Sequence, residues 1–132
     1  MTSDRDGMAT VVLVGGVSQG AAIDTSVAGE QVTIQADKVD EGDAVLRVVA
    51  ANLRGFGIER DDILVVETRP DGQAATGELV LVTIEMKVFI GRWWTKHGRR
   101  ALLDDRLSLI TDDERLQVVG AITVVMRATH GA

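Results

Sequence analysis

The sequence predicts an all-β fold. Short runs dense in valine, leucine and isoleucine recur along the chain, each ended by glycine or an acidic cluster, at lengths that suit strands and not helices. Gln31-Val32-Thr33-Ile34-Gln35 alternates cleanly, and Arg47 stands between Leu46 and Val48, which is the pattern of a sheet with one buried and one wet face. No window carries a long apolar stripe at i, i+3, i+4 and i+7.

Residues 1–9 open on Met1-Thr2-Ser3-Asp4-Arg5-Asp6-Gly7, which is small, polar and charged, and are expected to form a flexible tail. A single domain then covers residues 10–128, with a second flexible tail at 129–132. Strands are expected at residues 10–14, 31–35, 44–49, 63–67, 78–84, 88–93 and 116–126. Ala50-Ala51-Asn52-Leu53-Arg54 can make one helical turn before Gly55 and Gly57 end it. The stretch between Glu67 and Gly77 holds the single proline and an Asp71-Gly72 pair, so a loop crosses there. Lys96-His97-Gly98-Arg99 has the form of a hairpin tip, with Ala101-Leu102-Leu103 returning after it. Trp93-Trp94 places one indole on each face of its strand.

A length of 132 residues leaves room for one domain, and 45% hydrophobic with 26% charged residues suffices for a packed core. Lys plus Arg number 14 against 20 for Asp plus Glu, a net charge of −6. Contact with a phosphate backbone needs the opposite sign, so no nucleic-acid binding is expected. Arg99-Arg100 beside His97 is the one basic knot, too small to reverse this. Cysteine is absent, which removes disulfides, thiolate metal sites and cysteine nucleophiles together. His97 and His130 make no i, i+4 pair, and Asp104-Asp105 and Asp112-Asp113-Glu114 have the pattern of solvated acidic turns, so neither metal nor cofactor is expected. No apolar run reaches the roughly 18 residues of a membrane span, and the first residues lack the basic-then-apolar order of a signal peptide. A cytoplasmic protein without membrane contact is the expectation.

Several segments carry a resemblance when taken together. They are Leu46-Arg47-Val48-Val49-Ala50-Ala51-Asn52-Leu53, Gly57-Ile58-Glu59-Arg60-Asp61-Asp62-Ile63-Leu64-Val65-Val66, Gly77-Glu78-Leu79-Val80-Leu81-Val82, Val88-Phe89-Ile90-Gly91-Arg92-Trp93 and Val118-Val119-Gly120-Ala121-Ile122. Leu13-Val14-Gly15-Gly16-Val17-Ser18-Gln19-Gly20 precedes them. In this order and at these separations, over residues 11–127, the chain resembles the self-cleaving peptidase domain of LexA repressors and UmuD. The resemblance implies strongly bent sheets in a partly open barrel.

It also implies a serine-lysine dyad, in which a serine hydroxyl attacks a peptide carbonyl while a neutral lysine, its pKa lowered by apolar burial, takes the proton. Here the nucleophile position falls on Asn52 and the base position on Gly91. A carboxamide is no nucleophile, and glycine has no side chain. Slipping the alignment restores neither, because residues 34–67 contain no serine, threonine or cysteine and residues 88–95 contain no lysine. Arg92 stays protonated and cannot serve as the base. The family cuts between a small residue and glycine, whereas the matching pair here is Gln19-Gly20; Ala28-Gly29 lacks the preceding Val-Gly-x-Val. The resemblance therefore implies a vestigial dyad at Asn52 and Gly91, a vestigial cleavage site at Gln19 and Gly20, and no enzyme activity.

Residues 118–126 are apolar on both pleat faces apart from Thr123, and an exposed terminal strand of that kind invites pairing. In the family this strand joins two domains, so a two-fold homodimer is expected through Val118, Val119, Ile122, Val124 and Met126. The implied role is a dimerising regulatory or scaffold protein in the bacterial SOS response to DNA damage or in prophage regulation. Its candidate partners are a repressor, a recombinase filament or an error-prone polymerase. The rival expectations are a peptidase with a relocated pair, Ser18 or Ser26 with Lys38, Lys87 or Lys96, and an unrelated small β-barrel adaptor in which Asn52 is a cap and Gly91 a strand glycine.

Overall fold

The computed structural model describes residues 2–3 and 7–127. In chain order its strands are β1 (Thr2–Ser3), β2 (Met8–Val12), β3 (Gly15–Val17), β4 (Gln31–Gln35), β5 (Ala44–Val48), β6 (Ile63–Thr68), β7 (Leu79–Ile84), β8 (Lys87–Lys96), β9 (Arg99–Leu103), β10 (Leu109–Thr111) and β11 (Gln117–Met126). The helices among the described residues are single 3-10 turns at Thr25–Val27, Ala36–Lys38 and Arg54–Phe56. The all-β expectation holds. Among the described residues no helix is long and apolar enough to cross a membrane.

A large sheet runs in the order β10-β9-β8-β7-β11-β6-β5-β3, and a small one in the order β1-β2-β4. The large sheet curls strongly, and its strand alternation sorts the side chains into distinct apolar clusters. Val48 of β5, Leu64 and Val66 of β6, Leu81 of β7 and Val88 and Ile90 of β8 fill the inside of the curl with Val17, Leu53 and Ile58. The opposite faces of the same strands are buried too. Val45, Ile63 and Val65 pack against Ala9, Val11 and Ile34 of the small sheet, while Val80, Val82 and Trp93 pack against Leu102 and Leu116. Burial on both faces is why the apolar run at residues 63–66 is unbroken instead of alternating.

The expected N-terminal tail is corrected in part. Ser3 pairs with Ala9 and Thr2 with Thr10, and Ala9 is 1% exposed, because β2 is the central strand of the small sheet and its alternating Ala9 and Val11 cover the outer face of β5 and β6. The expected tail at 129–132 lies outside the described residues.

The expectation that the last strand is an unpaired edge is corrected more fully. β11 is not an edge: β6 pairs with it from Gly120 to Met126 and β7 from Gln117 to Ala121. Val118 lies in the Trp93 cluster, Ile122 packs inside the curl, and Val124 and Met126 pack under the small sheet. Of the five expected interface residues only Val119 is exposed, at 36%; Val125, in the same strand, is exposed at 40%. A strand apolar on both faces is equally what a central strand between two cores requires, and that requirement accounts for this one.

Candidate functional site

The site is built where the sheet curls back toward itself. β3 runs parallel to β5, with Gly15 opposite Leu46 and Val17 opposite Val48, and the Val49 N–H donates to the Val17 carbonyl at 2.9 Å. On its other side Gly16 exchanges two 2.8 Å hydrogen bonds with Asp24. Gly16 has no room for a side chain there, since a Cβ would lie 2.5 Å from Val49 Cγ1. Residues 17–24 thus form a narrow loop whose tip, residues 19–21, reaches β8.

That tip occupies a strand edge. β9 flanks β8 only from Arg92 onward, which leaves the outward N–H and C=O groups of Val88 and Ile90 for another partner. Val88 takes the main chain: Gly20 N–H donates to its carbonyl, and its own N–H donates to the Ala21 carbonyl, both at 2.8 Å. Ile90 takes a side chain instead. Its N–H donates to Gln19 Oε1 at 2.7 Å, and Gln19 Nε2 donates to its carbonyl at 2.8 Å. The Gln19 carboxamide thereby supplies the donor and acceptor that a strand residue would supply. Gly20 makes this possible, because its φ of +79° is a conformation glycine adopts without a Cβ penalty. The Phe89 ring packs on Gly20, 3.6 Å from where a Cβ would stand.

Asn52 closes the site from the β5 side. It follows β5 and precedes Leu53, whose side chain is anchored inside the curl; the 3-10 turn Arg54–Phe56 then ends at Gly57 in the left-handed region, φ +71°. So held, Asn52 Oδ1 accepts from the Gln19 N–H at 3.1 Å, and Asn52 Nδ2 donates to the Gln19 carbonyl at 3.4 Å. That carbonyl belongs to the Gln19–Gly20 peptide bond. Below the turn, Asp62 is 2% exposed, accepts from the Glu59 N–H at 2.8 Å and lies 3.9 Å from Arg127 Nε; Arg127 also pairs with Glu59.

Asn52, Gln19 and Gly20 are therefore brought together, and Gly91 follows Ile90 directly. The direction a side chain would take from Gly91 is another matter. Phe89 and Trp93 on either side of it face the Leu102 cluster, and a Cβ on Gly91 would lie 2.7 Å from Leu102 Cγ and 2.8 Å from the Leu103 carbonyl oxygen. A base at that position would point into the Leu102 and Ile110 packing and away from the cluster that holds Leu53.

Ser26 sits in the turn Thr25–Val27, where its N–H and hydroxyl both bond Asp24 and hold that carboxyl below its usual range. Lys87 and Lys96 stand at opposite ends of β8, about 30 Å apart at about 3.3 Å per residue. Among the described residues no cluster of three or more His, Cys, Asp or Glu side chains is placed to hold a metal ion.

The sequence singled out Asn52, Gln19 and Gly20 but not the grip of Gln19 on Ile90. Its only local trace is a glycine directly after a long carboxamide. Compared with protein-family models and with curated proteins, the sequence matches none.

Proposed function

We propose that this chain is a LexA/UmuD-like domain that holds its own N-terminal segment in the peptidase site without cutting it, and acts as a dimerising regulatory or scaffold module. The observation that carries this is the 3.4 Å contact between Asn52 Nδ2 and the carbonyl oxygen of the Gln19–Gly20 bond. In the family that the sequence resembles, the residue at the Asn52 position attacks that carbonyl. An amide nitrogen has its lone pair delocalised into its own C=O, so it donates a hydrogen bond there and forms no covalent bond. No general base supports it, because glycine occupies the other dyad position. The segment is held as a permanent ligand of its own domain. The resemblance alone assigns this role to bacterial DNA-damage or prophage regulation, with a repressor, a recombinase filament or an error-prone polymerase as partner.

Incubating the purified chain at pH 10, with and without an activated recombinase filament, and weighing the intact protein by mass spectrometry tests the reading. A single 14.1 kDa species is expected under both conditions. Cleavage abolished by Ser18→Ala or Ser26→Ala would establish the relocated dyad instead.

A further inference from the structure

Beyond the curl, β8, β9 and β10 continue as an arm, and one face of this arm is a groove of about 740 Å³. Trp94, Ala101 and Leu103 line it, with Trp94 directly opposite Ala101 in the β8–β9 ladder. Leu109 of β10 lines it at 58% exposure, and β10 is the outermost strand of the large sheet, so among the described residues no strand flanks the groove on that side.

The walls of the groove carry opposite charges. Arg99 and Arg100 stand at the hairpin end, and Asp112, Asp113 and Glu114 stand across from them. Asp113 is engaged by Arg115, and Arg100 donates to the main-chain carbonyl of Glu114 at 3.1 Å. Among the described residues the Arg99 guanidinium and the Asp112 and Glu114 carboxylates take part in no ion pair. A basic wall, an acidic wall and an apolar floor together make a surface complementary to itself.

We propose that this groove is the two-fold interface between two copies of the chain, with Arg99 of each copy against Asp112 and Glu114 of the other and the Trp94–Leu109 floors in contact. A two-fold contact sets surface i against j and j against i, which a bipolar groove satisfies twice over. The net charge of −6 opposes contact between two copies elsewhere, so the attraction has to come from this bipolar groove. Two acidic chains repel one another over most of their surface, and the Arg99-Arg100 knot with Lys96 is where a second acidic chain is attracted. The inference rests on the proposed function only in taking the chain to act as a dimer, and it moves the contact from β11 to the arm.

Sedimentation of wild type and variants at micromolar concentration tests it. Wild type is expected at twice 14.1 kDa. Arg99→Glu alone, and Asp112→Lys with Glu114→Lys, are each expected to weaken the dimer by about tenfold or more while circular dichroism is unchanged. An equimolar mixture of the two variants is expected to dimerise again, because both cross-contacts are attractive in the mixed pair; this recovery also shows that each variant is folded. A monomeric wild type, a dimer indifferent to Arg99→Glu, or a dimer lost only on Val125→Arg would overturn the inference. None of these outcomes bears on whether the chain cleaves itself.

Discussion

Asn52 and Gln19 are joined twice, by the Gln19 N–H to Asn52 Oδ1 at 3.1 Å and by Asn52 Nδ2 to the Gln19 carbonyl at 3.4 Å. One carboxamide thus reads the main chain of residue 19, while the carboxamide of residue 19 reads the main chain of Ile90 in the same two-point manner. The two side chains act as links in one hydrogen-bonded chain from β5 to β8.

Breaking the second link has a calculable cost. Gln19→Ala leaves the N–H and C=O of Ile90 without their partners, and an unsatisfied polar group costs about 1–3 kcal/mol when buried. Ile90 is fully buried but the contact is only part-buried, so a loss of about 2 kcal/mol in urea denaturation is expected. Gln19→Glu should behave differently with pH. Its carboxylate can accept from the Ile90 N–H but cannot donate to the Ile90 carbonyl, so protonation is favoured in the folded state; the variant is expected to be weakest at neutral pH and to recover relative to wild type as pH falls toward about 4, the recovery being complete below the unfolded value.

Rebuilding the dyad at the aligned positions should fail on packing. Even Gly91→Ala sets a Cβ within 2.8 Å of Leu102 Cγ and the Leu103 carbonyl oxygen, and overpacking of this kind costs about 1–3 kcal/mol. Asn52→Ser with Gly91→Lys is therefore expected to lower the denaturation midpoint and to give no cleavage at Gln19–Gly20, even with Gln19→Ala added. Rapid cleavage by a stable double variant would show that position 91 can reach the carbonyl.

Gly120 offers a control for backbone crowding inside the sheet. A Cβ there would stand 2.2 Å from the Glu67 carbonyl oxygen, a main-chain atom of the paired β6, so Gly120→Ala must push the two strands apart. A loss of about 3 kcal/mol is expected. Gly72→Ala, at φ +69° with open space around it, should cost only about 1–2 kcal/mol of backbone strain.

The loop before β7 is tied by Glu78, which accepts from both Arg69 Nη atoms at 3.0 and 2.8 Å and from the Ala75 N–H at 2.7 Å. The Arg69 guanidinium, with the Ala75 N–H, holds the Glu78 carboxyl below its usual range. A depressed carboxylate pKa adds stability that is fully present above the unfolded value, about 4.3 for glutamate, and is lost as pH falls through the folded value. Glu78→Gln is expected to be less stable than wild type at pH 7 and to lose less stability on acidification below about 4; equal acid slopes in urea titrations would exclude this contribution.

The parts of the fold legible in the sequence are those set by local chemistry. The His97-Gly98 tip joins Lys96 to Arg99, with both tip residues at positive φ, and Gly57 ends the turn after Asn52. What escaped depends on distant partners. β2 and β3 belong to different sheets, because Leu13 and Val14 between them bond Glu30 and Val45, and nothing local separates residue 12 from residue 15. The central place of β11 escaped for a related reason: an apolar strand does not reveal how many neighbours cover it. Gln19 and Ile90 stand 71 residues apart, and a carboxamide imitating a strand leaves no periodicity to detect.

The reach from residue 19 to residue 90 also sets an order of events in time. The edge on which residues 19–21 dock exists only once β7 and β8 have paired, and closing so long a stretch of chain is slow compared with forming that hairpin. Contacts of this kind are expected to form after the rate-limiting barrier. Gln19→Ala is expected to steepen neither arm of a chevron plot and to leave the folding rate nearly unchanged, while raising the unfolding rate by about thirtyfold for a 2 kcal/mol loss. The loop tip would then govern the lifetime of the folded chain and not its speed of formation, so a partner that lifted residues 19–21 off β8 would shorten that lifetime without touching the core.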